Sequence, residues 1–150
     1  QVITKEKVID EPIEVDGKEY RITGVSMGNP HAVVFLDHSP KELDLTKIGP
    51  SFEHHPLFPN RVNTEFIRVI DDHTLQMRVW ERGSGETFAC GTGACAAAVA
   101  SVLNGYCKRE QEILIHLRGG DLRIIYHNDE SVTMIGPATF IFEGKMEYPV

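Results

Sequence analysis

Between Phe88 and Cys107 the chain reads FACGTGACAAAVASVLNGYC, with no charged residue. Read as a helix, the stretch starts near Thr92 and stops at Asn104-Gly105, since Asn-Gly is a good helix terminator. A surface helix needs a polar stripe, and this one has none, so it must be buried nearly all round. Its small side chains let strands approach closely. A sheet wrapped around a central helix meets both conditions. It also leaves the helix N-terminus as an opening where backbone donors, the helix dipole and Cys90 meet a ligand together. The same dipole favours thiolate at Cys90.

The rest of the chain supplies strands. Alternating text runs from Glu11 to Val33, with Asp16-Gly17 as a turn, and HAVVFLD (31–37) is a further strand. RVNTEFIRVIDD and HTLQMRVWERG read as two strands around Asp71-Asp72. EILIHLRGGDLRIIYH is a hairpin around Gly119-Gly120-Asp121, and SVTMIGPATFIFEGKM adds two more strands. Between 38 and 60, Ser39-Pro40 starts a short helical stretch, and Pro50, Pro56 and Pro59 break the chain after it. That segment therefore reads as connector more than core. The expected fold class is α+β: a mixed, mostly antiparallel sheet curled as a barrel around one central buried helix. No repeat, low-complexity tract or linker interrupts the chain, so residues 1–150 are read as a single domain.

Charge narrows the partners. The 15 basic residues are scattered among 22 acidic ones, for a net charge of -7, which argues against a general phosphate-backbone binder. QVITKEKVIDEP lacks the apolar region of a signal peptide, and no apolar run is long enough to span a bilayer. A cytoplasmic protein with neither nucleic acid nor membrane as partner is expected. Cys90, Cys95 and Cys107 form an odd set without disulfide-scaffold or zinc-finger spacing, and reduced thiols are the simplest reading. The start at Gln1 rather than Met reads as a piece of something longer.

Gly91-x-Gly93-x-x-Ala96 matches the loose dinucleotide fingerprint, but that motif belongs after a buried parallel strand, and here polar ERGSGET precedes it. The fingerprint is rejected. A free cysteine is most often a small buried hydrophobe, which suits Cys95 and Cys107. Cys90, at a helix start beside Gly91 and Thr92, is instead set against a ligand. Asn29, before proline and His31, is either a turn residue or a ligand contact. Glu81 and Arg82, at the end of a strand, form either a solvated pair or a grip on an amino acid's ammonium and carboxylate. Asn63, polar within an apolar run, is a strand-edge residue or a contact. His54-His55 points to opposite sides of an extended chain and lacks other ligands, so exposed histidines and no metal are expected there. Ser84 and Ser101 have no nucleophile-elbow context.

Taken together, MGNPHAVVF, RVNTEF, WERGSGETFACGTGACA and the closing hairpins resemble the C-terminal half of diaminopimelate epimerases, across nearly the whole chain from about Met27 onward. Proline racemases and hydroxyproline epimerases also carry Cys-Gly-Thr-Gly, but ERGSGET favours the diaminopimelate branch. The resemblance implies a cofactor-independent epimerase that converts LL-diaminopimelate to the meso form for lysine and cell-wall synthesis. Two cysteines would act, one on each face of the α-carbon. By this resemblance Cys90 is one of the acid/base pair, with His31 and Glu81 helping to set the cysteines' protonation. Gly91 and Thr92 would hold the carboxylate at the reacting centre. Asn29, Asn63, Glu81 and Arg82 would bind substrate, largely at its far end.

In the family the second cysteine lies in an N-terminal half of similar fold, which these residues do not contain, and the family is usually dimeric. Cys95 cannot replace it, being turned away from Cys90 and about 7 Å further along the helix axis. The chain is thus expected to supply one wall of a site and to be inactive alone. The alternatives are a stand-alone, non-catalytic amino-acid-binding domain and a proline racemase-like epimerase.

Overall fold

A computed structural model describes residues 8–87, 91–135 and 141–144. The order is β1 (Glu11–Val15), β2 (Lys18–Ser26), β3 (Pro30–Leu36), a 3₁₀ turn (Pro40–Glu42), α1 (Leu45–Glu53), β4 (Asn63–Asp71), β5 (Thr74–Glu81), β6 (Gly85–Thr87), α2 (Gly91–Leu103), β7 (Ile113–Leu117), β8 (Gly120–Tyr126), β9 (Val132–Ile135) and β10 (Ile141–Gly144). All strands share one sheet in the order β1-β2-β3-β4-β5-β7-β8-β9-β10, with β6 paired to β5. Its pairs are antiparallel except β3–β4 and β5–β7.

Each parallel pair needs a crossover, and a helix supplies each one. α1 lies between β3 and β4, and α2 between β5 and β7. Because β4 and β5 are antiparallel, the second pair runs opposite to the first. Crossovers of one hand from oppositely directed pairs fall on opposite faces of a sheet. The strands accordingly bury two cores. Val25, Val33, Ile67, Leu75, Met77 and Val79 pack on the α2 side, while Ile13, Val15, Ile22, Ala32, Val34 and Phe66 pack on the α1 side.

Helix α2 is as deeply buried as its composition demands: every residue from Gly93 to Ser101 is inaccessible. It touches β2, β3, β4, β8 and β9. The sheet therefore curls about it, but the expected barrel does not close. Among the described residues β1 and β10 remain the two ends of an open sheet. The reason lies in β1, whose apolar side chains Ile13 and Val15 belong to the core under α1 and not to the one around α2.

The 38–60 segment is also corrected, from connector to core. Leu45, Ile48, Phe52 and Phe58 from it are buried, and Phe52 stacks edge-on against both Tyr20 and Phe66. Pro50 does not break α1 but lies within it. Among the described residues, no helix is long and apolar enough to cross a membrane.

Candidate active site

The starts of β3 and β4 and the end of β5 meet at one edge of the sheet: His31 pairs with Asn63, and Thr64 with Trp80. Strand alternation then sorts the side chains. His31, Asn63, Glu65 and Glu81 share the parity of Val33, Ile67 and Val79, which face α2. Arg78 and Trp80 share that of Phe66, which faces α1. Five of the sequence-derived candidates, Asn29, His31, Asn63, Glu81 and Arg82, are thus brought to one end of three adjacent strands.

Their contacts form a short network. The fully buried His31 places Nδ1 2.6 Å from Glu65 Oε2 and Nε2 3.1 Å from Asn29 Oδ1. With the amide oxygen of Asn29 accepting from Nε2–H, the ring is held in one orientation and the amide's N–H₂ group is left as donor. Asn63 is buried, accepting from the Arg82 backbone N–H at 2.7 Å and donating to Pro30 O at 3.0 Å. It therefore ties the entrance of β3 to the turn after β5. Arg82 is exposed, with its guanidinium 3.2 Å from Asn60 O. Glu81 Oε2 accepts from Thr87 Oγ at 2.5 Å, which anchors the last described residue before α2. Gly91 lies four residues beyond Thr87, so the helix N-terminus is within about 14 Å of that contact.

Glu65, which sequence reasoning did not single out, lies at the centre of this network. Burial pushes its carboxyl above the ordinary range and the charge of Glu81 adds to the push, while the His31 ring opposes it. One oxygen, Oε1, has no hydrogen-bond partner among the described residues. The available signal was a charged residue in the apolar run TEFIRV. Also unforeseen was Glu53, at the C-terminal end of α1, which accepts from Trp80 Nε1 at 2.8 Å and the Gly83 backbone N–H at 2.9 Å.

Cys90 lies outside the described residues. Gly91 and Thr92 open α2, both half-buried. Cys95 and Cys107 are buried, as their packing role requires, and burial together with Asp72 and Asp71 pushes the Cys107 thiol up to about 11. Such a thiol is inert at neutral pH. Of the two neighbouring histidines His54 is exposed, but His55 is half-buried, with Nε2 donating to Glu14 O at 2.9 Å, so one of the pair pins α1 to β1. Asp71, Asp72 and His73 offer ligand atoms within 4.8 Å of one another, on an exposed turn at the far end of the β4–β5 hairpin.

Solved structures with this fold define a class. A hydroxyproline epimerase from Agrobacterium vitis aligns with TM-score 0.58 at 17% identity, covering 93% of this chain and 48% of that one. A phenazine biosynthesis protein of the PhzF family from Enterococcus faecalis aligns with TM-score 0.58 at 20% identity, covering 77% and 43%. At these identities the likeness is one of fold.

The sequence comparisons are narrower. The family model described as diaminopimelate epimerase matches residues 23–141. The diaminopimelate epimerase of Acetivibrio thermocellus is 56% identical over 147 residues, 95% of this chain and 50% of that protein. That of Desulfovibrio desulfuricans is 54% identical over 145 residues, 95% and 49%. The chain belongs to the diaminopimelate epimerase family. It spans about half the length of the curated relatives it matches.

Proposed function

We propose that residues 1–150 supply one catalytic wall of a cofactor-independent, two-cysteine epimerase that interconverts LL- and meso-diaminopimelate in the cytoplasm. The observation that carries this reading is the convergence of Asn29, His31, Asn63, Glu81 and Arg82 at one end of β3, β4 and β5, with Glu81 bonded to Thr87, four residues before Gly91. An α-proton is weakly acidic, so its removal needs a placed base and donors for the carboxylate on which charge develops. Cys90 is the base or acid on one face of the α-carbon. Gly91 and Thr92 donate to the carboxylate at that carbon. Glu81 and the Glu65-backed His31 set the protonation of the thiols. Asn29, Asn63, Glu81 and Arg82 bind the substrate, largely at its distal amino-acid group, Asn29 as donor through the N–H₂ that His31 leaves free. The second thiol comes from an N-terminal half, so the chain alone does not epimerise, and the complete enzyme is a homodimer.

The test is exchange of the α-proton of LL-diaminopimelate in heavy water, measured with this chain and with the chain extended upstream by the other half. Exchange is expected only in the extended protein. Cys90→Ala should lower it by at least the ~10²–10⁴-fold that a positioned acid or base contributes. Exchange by the short chain would refute the two-half reading, whereas none in either form would favour a non-catalytic amino-acid-binding domain.

A further inference from the structure

On the α1 side of the sheet, opposite the candidate site, one carboxylate collects donors from three segments. Glu53 is only 4% exposed. Its Oε1 accepts from Trp80 Nε1, and its Oε2 accepts from the Gly83 backbone N–H and from Arg61 Nη1 at 3.2 Å. Burial pushes its pKa up, but these donors outweigh burial and hold the carboxyl below its ordinary value.

The geometry around it is built for close approach. Four residues before Glu53, on the same face of α1, stands Gly49, and a Cβ there would lie 2.2 Å from Cδ2 of Trp80. The indole therefore rests on bare helix backbone with its N–H aimed at Glu53. Trp80 is the residue before Glu81. Gly83, at φ +79°, sits in a tight turn closed by the Ser84 N–H to Glu81 O bond. Backbone with this φ is costly for other residues, and the turn around it is secured from both faces of the sheet. Asn63 holds the Arg82 N–H from the α2 side, and Glu53 holds the next N–H from the α1 side.

We propose that Glu53 is a positioning residue for ligand binding, fixing the Glu81–Ser84 turn so that the Glu81 and Arg82 side chains stay in place for an amino-acid ligand. The inference rests on the reading of Glu81 and Arg82 as substrate-binding groups. Glu53 does not touch the ligand. It acts through Trp80 and Gly83, and couples α1 to the site.

The experiment compares the chain extended upstream by the other half with its Glu53→Gln variant, by amide hydrogen exchange and by calorimetric titration with diaminopimelate. The amides of Arg82 and Gly83 should exchange about tenfold faster in the variant, the loss of one charge-assisted hydrogen bond, while those of Val33 and Ile67 are unchanged. The dissociation constant for diaminopimelate should rise by a similar factor. Unchanged protection at Gly83, a uniform rise at all amides, or a loosened turn with unaltered affinity would each overturn the proposal. If Glu53→Gln does not fold, Glu53→Asp, which keeps the charge but withdraws it from Gly83, gives the same comparison. A wild-type extended protein that takes no diaminopimelate refutes the substrate reading, and the exchange pattern alone then decides for or against Glu53.

Discussion

The two faces of the β3–β4–β5 region are built differently. The α2 face carries His31, Asn63, Glu65 and Glu81, whose hydrogen bonds link the ends of these strands to one another and to Thr87. The α1 face carries Arg78 and Trp80, which tie the sheet to the crossover segment: Arg78 donates to Pro40 O and Leu43 O as well as bidentately to Glu86 of β6, and Trp80 donates to Glu53. One face arranges groups that can meet a ligand, and the other fastens the strands carrying those groups to a second core. The site depends on both, because the turn following β5 is held from each side.

Breaking the α1 core should have the largest effect on stability. Phe52 is fully buried between Tyr20 and Phe66, so Phe52→Ala should cost about 3–5 kcal/mol in chemical denaturation. A cost within ~0.5 kcal/mol, the usual range for a surface change, would return the 38–60 segment to the status of connector and dissolve the contrast between the faces.

Gly49→Ala comes next. The new methyl would lie 2.2 Å from the indole of Trp80, and overpacking of this kind costs about 1–3 kcal/mol. The change should also shift Trp80 emission, since the ring must leave the α1 backbone and with it the bond to Glu53. A stable variant with native emission would show that the ring does not rest on the helix.

The same contrast explains what was legible in the sequence. The charge-free α2 segment carried its own burial in its composition, and nearly all strands declared themselves by alternation and turn residues. The α1 core did not. Three prolines obscured a helix whose Leu45, Ile48 and Phe52 do recur at helical spacing, and Pro50 is tolerated within it. Of the candidate residues, Asn63 was visible as a polar interruption of an apolar run, whereas Asn29, His31, Glu81 and Arg82 had bland readings that only the family resemblance displaced; Glu65 interrupts an apolar run too, but only the fold shows its strand buried on both faces. Glu53 was not visible. Its partners Trp80, Gly83 and Arg61 are separated from it by up to 30 residues, and only the fold brings them together. The barrel expectation failed because sequence alternation shows that a strand has an inner side, not which of two cores that side joins.

The smallest effect is the sharpest probe of the two faces, because their buried carboxylates should respond to pH with opposite signs. Glu53, held below the ordinary 4.5 by Trp80, Gly83 and Arg61 against burial, with His54 nearby, gives stability that is full above pH 4.5 and is lost as pH falls through its lowered folded value. The stability difference between wild type and Glu53→Gln should therefore shrink on acidification. Glu65 is raised above 4.5 by burial and by Glu81, with His31 opposing, so its contribution is full below 4.5 and is lost as pH rises through the raised value. The difference between wild type and Glu65→Gln should shrink as the solution becomes more alkaline. Urea titrations from about pH 3 to 7, which span both sides of the ordinary carboxyl value, would separate the two slopes, and slopes of the same sign would mean that the carboxylates do not sit in opposed environments.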